Sequence, residues 1–584
     1  MSVVHGGGRS ARLRPGWTPL ARAWAWYVER APKLTAAIAT LLGLATLAEA
    51  LLPRQRDRVA DVVPVVPVPA SATAAAVVAV SGLLLLWLAR GLRRRKRRAW
   101  QAAIVLAAVR STAFLIHDEP RPADAAITLV LLVLLLAAAP RFNAKPDPRS
   151  RWFALVVFIQ FTAVAVCYGL AVLYFSHRVV GNPSWSARSE EVLYALIGAN
   201  GPVQLRGHRF PEVFHFTMLG FGVTTMIVVA YLALRPFEPV ASLTAEDEER
   251  LRGVLAAHGR RDSLGYFALR RDKSVVWSQS GKAAITYRVV QGVALASGDP
   301  IGDPEAWPGA MAAYRRVTEE YAWTPAVIGC SEQGATVYRR ELGLSALEMG
   351  DEAIVEVEDF TLDGRAMRGV RQACTRISRA DYRVQIRRAR ELDPTEIKTL
   401  TAAAAAWRGD AAERGFSMAL SRLADPADPD CVIATADQDG RLRGLLNFVP
   451  WGPDGLSLDL MRRDPAADNG LNEYMIAKVI HAGPELGVSR VSLNFAMFRD
   501  ALERGEKIGA GPASRAWRAL LIFLSRFWQI ESLYRFNVKF RPYWEPRCIS
   551  YPAARDLPRI ALAALEAEAF FTQPRILKRL LGRA

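Results

Sequence analysis

The residues best placed to do chemistry lie in the last third of the chain. In SLDLMRRD, Asp459 is followed three residues later by Arg462 and five later by Asp464. A strand of period two puts Ser457, Asp459 and Met461 on one face and turns Leu458 and Leu460 into the core, so the carboxylate is expected on the open face near the strand end where Arg462 emerges. The stretch NGLNEYMIAKVI sets Asn469, Asn472 and Glu473 at a helix start. There they either cap the helix and complement its dipole or face a ligand. Asn494 lies in the strand-like VSRVSLNFA. Finally, SLYRFNVKFRPYWEPRCISYP (532–552) alternates Arg535, Lys539, Arg541 and Arg547 with Tyr534, Phe536, Phe540, Tyr543 and Trp544. Lys539 and Arg541 are expected on one face of an extended segment with Phe540 on the other. Cations for charge and rings for stacking or lipid contact suit a phosphate-bearing ligand.

The elements that position these groups follow from the distribution of apolar and charged residues. The 584 residues are 51% hydrophobic yet carry a net charge of +18. The apolar residues crowd into the first 234 positions, and the remainder alternates like a globular domain. This arithmetic excludes disordered, collagen-like and secreted disulfide-scaffold classes. The five cysteines are dispersed and never form CxxC, which fits a reduced compartment and neither a disulfide framework nor a zinc site. The histidines of the apolar part (His117, His177, His208, His215) fall in connecting loops or at helix edges, a weak basis for a metal site.

Six stretches approach the roughly 20 apolar residues that cross a bilayer: Leu34–Leu52, Ser71–Ala89, Trp100–Ile116, Ala123–Ala139, Trp152–Phe175 and Phe214–Leu234. Glu49 weakens the first and Arg110 the third; Arg110 either lines a polar pathway or pairs between helices. No cleavable signal peptide is expected ahead of them. The Pro-rich Val62–Pro69 reads as an external connector. The cationic Arg90–Arg98 loop (RGLRRRKRR) and the four cations of Arg141–Arg151 share one side with the Arg-rich N-terminus. By the positive-inside rule that side is cytoplasmic, and an even number of crossings returns the C-terminal half there.

Past residue 235 the pattern is α+β. Thr244 and Asp247 form a capping-box-like helix start. Strands are expected at 274–279, 283–290, 292–300, 326–330 and 351–360, with helices near 307–321 and 335–342. A second cycle has a helix at 394–408, a hairpin at 431–452 turned by Asp439-Gly440, a strand at 455–464, a helix at 469–483, a strand at 488–496 and a helix at 512–525. Two α+β lobes of similar build are expected, residues 235–375 and 376–584, after a membrane domain of residues 1–234. A tandem acetyltransferase-like (GNAT) fold is one candidate, although no clean pyrophosphate loop of that fold is present. Walker, GxGxxG, HExxH and GxSxG motifs are also absent, so nucleotide, cofactor and metal chemistry have little support.

Six segments then carry a resemblance: SGDPIGDP (297–304), VEDFTLDGRAMRGVRQA (357–373), LNFVPWGPDGLSLDLMRRD (446–464), NGLNEYMI (469–476), SLNFAMF (492–498) and SLYRFNVKFRPYWEPR (532–547). In these the chain resembles the bacterial phosphatidylglycerol lysyltransferases, the multiple peptide resistance factor family. The resemblance implies tandem GNAT lobes; the apolar stretches above set before them a bundle of about six transmembrane helices, with five possible. It also implies an aminoacyl-tRNA donor, a phosphatidylglycerol acceptor and no cofactor. Asp459, Lys539 and Arg541 would be catalytic, with Arg462, Glu473, Asn494 and Arg535 binding substrate. Asp459 would act as a base or hold the donor's ammonium group, and the residues do not separate these roles. The product would lower the negative charge of a bacterial cell membrane and give resistance to cationic antimicrobial peptides. Whether lysine or alanine is carried cannot be read from the residues, and self-association into a homo-oligomer is left open. Full-length members have a longer flippase region, and some shorter actinobacterial-type members continue into a lysyl-tRNA synthetase. This chain ends at Ala584, so charged tRNA is expected from elsewhere. Two other readings stand beside this one: a transporter or flippase regulated by its cytoplasmic half, and an aminoacyl-tRNA-dependent peptidoglycan peptidyltransferase.

Overall fold

The computed structural model describes residues 148–207, 209–234, 237–410, 415–497 and 530–570, with Glu413 and shorter stretches between 27 and 145. The chain divides into two compact units, Met1–Phe237 with 320–322 and 578–584, and Glu238–Glu319 with Trp323–Leu577.

In the first unit, helices α1 (Pro148–Phe175), α2 (Trp185–Leu196) and α3 (Arg209–Leu234) are fully traced. Ala154–Phe175 and Arg209–Leu232 are long and apolar enough to cross a membrane, and Phe158, Ile159 and Val164 stand exposed on α1. These helices coincide with the last two of the six expected stretches. The described parts of the other four are mostly helical; their remainder, including Arg110, lies outside the described residues, as does the Pro-rich connector 62–69. Helix α2 is capped by Ser184, whose hydroxyl accepts from the Ala187 N–H. Its buried Glu191 accepts from the Val203 N–H at 2.9 Å and pairs with His215 Nε2 at 3.0 Å. His215 therefore has a carboxylate partner.

The second unit is built on one 12-stranded sheet. Helix α4 (Ala245–His258) starts as expected, with Thr244 accepting from the Asp247 N–H. Next come β1 (Ser274–Trp277), β2 (Ala283–Val290), β3 (Val293–Ser297), β4 (Ile301–Gly302), α5 (Trp307–Glu320), β5 (Thr324–Ser331), α6 (Glu332–Leu342) and β6 (Ser345–Glu356). Then follow α7 (Arg368–Arg379), β7 (Arg383–Arg388), α8 (Pro394–Arg408), β8 (Val432–Gln438), β9 (Arg441–Trp451), β10 (Gly455–Arg463), α9 (Leu471–His481) and β11 (Arg490–Met497). The described residues end with α10 (Ile530–Val538), β12 (Tyr543–Tyr551) and α11 (Leu557–Ala567). Positive φ at Asp439 and Gly440 (51° and 71°) makes the β8–β9 turn, for which Asp-Gly is suited.

The strand order is β1-β2-β3-β5-β12-β6-β11-β10-β9-β8-β7, with β4 beside β2. Two pairs are parallel, β3 with β5 and β10 with β11, each joined through a helix, and the other ladders are antiparallel. Each half of the sheet thus repeats an antiparallel meander followed by one parallel step. The last described strand, β12, sits at the centre between β5 and β6. In the second half, alternation sends Ala434, Leu446, Phe448 and Leu458 to one face, beneath α9. Ile433, Leu445 and Val449 go to the other face, with α4 and α8.

One expectation changes here. The segment 532–552 is not one extended stretch: it is helix α10, a turn at Lys539 and Phe540, and β12. Lys539 and Arg541 consequently share no strand face, and Arg541 takes a left-handed φ of 51°. Neither α7 nor β7 is anticipated by the sequence reading. The helix expected at 512–525 lies outside the described residues.

Candidate active site

Strands β10 and β11 run side by side only from Gly455–Ser457 and Arg490–Ser492. Beyond that the ladder ends, and both strands are irregular against their outer neighbours: β10 slips between Leu458 and Leu460, and β11 between Ser492 and Phe495. A bulge adds one residue to one strand and re-aims the side chains that follow. Here the bulged residue is Asp459. The simple alternation expected for SLDLMRRD therefore fails: Leu458 and Met461 pack toward the α9 face, whereas Leu460 packs toward the α8 face.

Asp459 is accordingly half-buried beside the α8 face rather than on a fully open one. The Leu420 N–H donates to its Oδ1 at 2.6 Å and the Asn447 Nδ2 to its Oδ2 at 2.7 Å. Burial pushes the carboxyl up to about 6, with the charges of Glu413 and Asp428 adding to the rise and the two hydrogen bonds opposing it. A carboxylate held near neutrality by desolvation is a base of useful strength in a protected site. Asn494, at a left-handed φ of 72°, spans the opening between the parted strands, its Nδ2 donating to the Leu458 carbonyl at 2.8 Å. Behind it, the Asn537 Nδ2 donates to the Leu493 carbonyl at 3.4 Å. Among the described residues the side-chain oxygens of Asn447, Asn494 and Asn537 are buried with no partner, so each amide has spare hydrogen-bonding capacity.

The other expected residues occupy separate positions. Arg462, at the end of β10, donates to Glu413 Oε1 at 2.9 Å, and Arg408 binds the other oxygen of that carboxylate. Glu473 lies in the first turn of α9 and accepts from Lys539 Nζ at 2.8 Å. Arg535 is exposed on α10, and Arg541 is exposed after the turn. The structure thus joins Lys539 to Glu473 and sets Asn494 beside the Asp459 strand. It leaves Asp459 and Glu473 on opposite faces of the sheet.

Arg547 corrects the sequence reading: it is no ligand-facing cation. It is 1% exposed; its Nε donates to Glu352 at 2.9 Å, its Nη1 to Asp262 at 2.8 Å and its Nη2 to Ser263 Oγ at 2.7 Å. Glu352 also accepts from the Ser263 and Ser492 hydroxyls. Nearby, the Asp262 Oδ2 accepts from the Asp299 N–H at 3.0 Å, and the Ser331 N–H and hydroxyl donate to the Asp299 carboxylate. Burial and the charge of Asp262 push Asp299 up to about 6. The sequence reading also missed Asn447, Asn537, Glu413 and this network. The available signal for Asn447 is a polar residue interrupting an apolar run, as in LLNFV.

Residues 252–551 match the family model described as phosphatidylglycerol lysyltransferase, C-terminal. A lysylphosphatidylglycerol biosynthesis bifunctional protein, LysX, from Mycobacterium avium is 44% identical over 510 residues, covering 84% of this chain and 42% of that protein. The protein of that name from Mycolicibacterium vanbaalenii is 42% identical over 588 residues, covering 97% of this chain and 51% of its own length. The chain thus spans about half the length of the curated relatives it matches. Among solved structures, L-PGS from Bacillus licheniformis aligns with 57% of this chain and 99% of its own, at 20% identity and a TM-score of 0.48.

Proposed function

Because the chain belongs to the phosphatidylglycerol lysyltransferase C-terminal family, we propose that it is an integral membrane aminoacyltransferase moving a lysyl group from aminoacyl-tRNA to phosphatidylglycerol. Two GNAT-like lobes, 235–375 and 376–584, follow a membrane domain of about six helices in a bacterial cell membrane, and both lobes face the cytoplasm. The observation that carries the proposal is Asp459, a desolvated carboxylate on a bulge where two parallel strands part.

The reaction exchanges one ester for another. A glycerol hydroxyl of the lipid attacks the aminoacyl carbonyl, a new C–O bond forms, and the bond to the tRNA ribose oxygen breaks. The hydroxyl proton ends on that ribose oxygen, so no net oxidation and no nucleotide hydrolysis is involved. Asp459 takes the proton and returns it to the leaving oxygen, or pairs with the α-ammonium group of the donor; the spare amide capacity of Asn447 and Asn494 suits the same polar end. Arg462, Glu473 and Arg535 contribute substrate contacts, with Lys539 and Arg541 neutralising phosphate charge. Lowering the negative charge of the membrane surface in this way supports a role in resistance to cationic peptides.

Lipids extracted from cells expressing the chain should show an aminoacylated phosphatidylglycerol absent from control cells. Its absence from cells that contain the folded protein would reject the proposal. The cationic turn gives a second expectation. Lys539 is half-exposed in its pair with Glu473, so Lys539→Ala should cost under about 1 kcal/mol of stability. Each of Lys539→Ala and Arg541→Ala should nonetheless lower lipid aminoacylation by about tenfold to a hundredfold, the equivalent of one charged hydrogen bond to phosphate. Full activity in both variants, with unchanged circular dichroism, would remove the pair from the site.

A further inference from the structure

Between α8 and β8 the chain makes a tight turn at 415–419, and side chains remote in sequence hold its backbone from two sides. The N–H groups of Phe416 and Ser417 donate to the two carboxylate oxygens of Glu568, at 2.6 and 3.0 Å, and the Ser417 hydroxyl donates to the same carboxylate. The Gly415 N–H donates to the Glu568 carbonyl at 3.3 Å. One residue thus accepts from three consecutive N–H groups. From the other side, Arg270 Nη1 donates to the carbonyls of Gly415 and Ala419, the latter at 3.0 Å, and so ties the two ends of the turn together. Glycine permits this closure: Gly415 has φ 106°, and a Cβ there would come within 2.4 Å of Ala419 Cβ. Phe416 anchors the turn. Its ring is fully buried in the cluster of Val293, Leu295, Ile328 and Ile560, with Lys273 Nζ and Arg288 Cζ 4.7 and 4.9 Å from its centre.

The residue that leaves this turn is Leu420, whose N–H is the 2.6 Å donor to Asp459 Oδ1. We propose that Glu568, at the end of α11, is a positioning residue for the transfer: by fixing the turn it places the Leu420 N–H that orients the Asp459 carboxylate. The proposal rests on the transferase reading above. A backbone N–H holds a carboxylate in one orientation only while the backbone itself stays in place, and a displacement of about 1 Å removes the bond. The bonds to Glu568 are charge-assisted and hence about twice as strong as neutral ones. Its charge also faces the cations Lys273, Arg270 and Arg288, which gather around the turn with Asp272. Asp459 faces Glu413, Asp428 and the Cys431 thiol, and none of these favours its negative charge. Among the described residues, the donors that favour its ionised form are the Leu420 N–H and the Asn447 amide. Loss of the Leu420 bond therefore raises the carboxyl further.

The test compares the full chain in phosphatidylglycerol nanodiscs with Glu568→Gln and with Glu566→Gln, a charge loss on the same helix at a residue that holds Gln291 at 2.6 Å. Glutamine at 568 fills the same space but turns an NH2 group toward N–H donors. With lysyl-tRNA as donor, Glu568→Gln should lower kcat about tenfold and leave KM for the charged tRNA within about twofold. The acid limb of its rate profile should move upward from about 6 by roughly half a unit to one unit. Glu566→Gln should leave the limb in place. Difference infrared spectroscopy gives a readout without turnover: the carboxyl band that Asp459→Asn removes should titrate at higher pH in Glu568→Gln than in wild type. An unmoved limb and band overturn the proposal. So does an equal shift in Glu566→Gln, which would mark a general loosening of α11. Should circular dichroism show Glu568→Gln unfolded, Ser417→Ala, which removes one donor to the same carboxylate, should move limb and band in the same direction by less, and no movement overturns the proposal. Wild-type protein that forms no aminoacylated lipid sinks the transferase reading, and the infrared titration then still decides whether Glu568 sets the surroundings of Asp459.

Discussion

An Asp459→Asn chain is expected to lose lipid aminoacylation by about 10²–10⁴-fold, the usual worth of a positioned acid–base group, while remaining folded. The amide can neither take the hydroxyl proton nor pair with an ammonium group. The fold should tolerate it, because Asn447 beside it has an Oδ1 without a partner among the described residues and can rotate its amide to accept from the new N–H. The linkage sign points the same way. Burial raises the Asp459 carboxyl from its ordinary 3.8 to about 6, so the folded state binds more protons than the unfolded chain between those values. Its contribution to stability therefore grows as pH falls through 6 and is unfavourable above it. At pH 8 the variant should melt no lower than wild type. The wild-type rate should fall below about pH 6, where the carboxyl protonates. Near-normal turnover in the variant would remove Asp459 from the chemistry, and a collapsed melting curve would make it a structural residue.

The second large effect falls on stability. Arg547→Met should destabilise the second unit by about 3–5 kcal/mol, because it leaves Glu352 and Asp262 charged and buried without their partner. The double variant Arg547→Met/Glu352→Gln should recover a large part of that loss, since removing the stranded charge matters more than replacing the pair. Thermal unfolding of both variants by differential scanning fluorimetry checks the expectation. A single variant that melts within a degree or two of wild type would show that the network adds little. A double variant no better than the single would show that the loss comes from packing.

Local chemistry made much of the second unit legible. Strands β2, β3 and β5 follow from short β-branched or apolar runs, the β8–β9 hairpin from Asp439-Gly440, and the start of α4 from Thr244 and Asp247. Features set by distant pairing were not legible. Nothing near Tyr543 announces that β12 enters the centre of the sheet between β5 and β6. Arg547 finds its partners on the segment following α4 and on β6, which are remote in sequence. The bulge at Asp459 is a consequence of ladder register, which the two-residue period of the sequence does not show. The alternation of rings and cations in 532–541 mimics a strand of period two, yet Leu533, Phe536 and Phe540 equally satisfy helical spacing, and α10 forms. Helix α7 is obscured because its apolar stripe is only three residues wide among arginines.

The central claim is tRNA-dependent transfer to lipid. It is tested most directly with the purified full chain in phosphatidylglycerol nanodiscs, supplied with radiolabelled lysyl-tRNA. The account predicts label in the chloroform-soluble phase, abolished by prior ribonuclease and absent when labelled lysine and ATP replace the charged tRNA. Label that survives ribonuclease or appears with free lysine and ATP alone, or no label in lipid from active lysyl-tRNA, would contradict it.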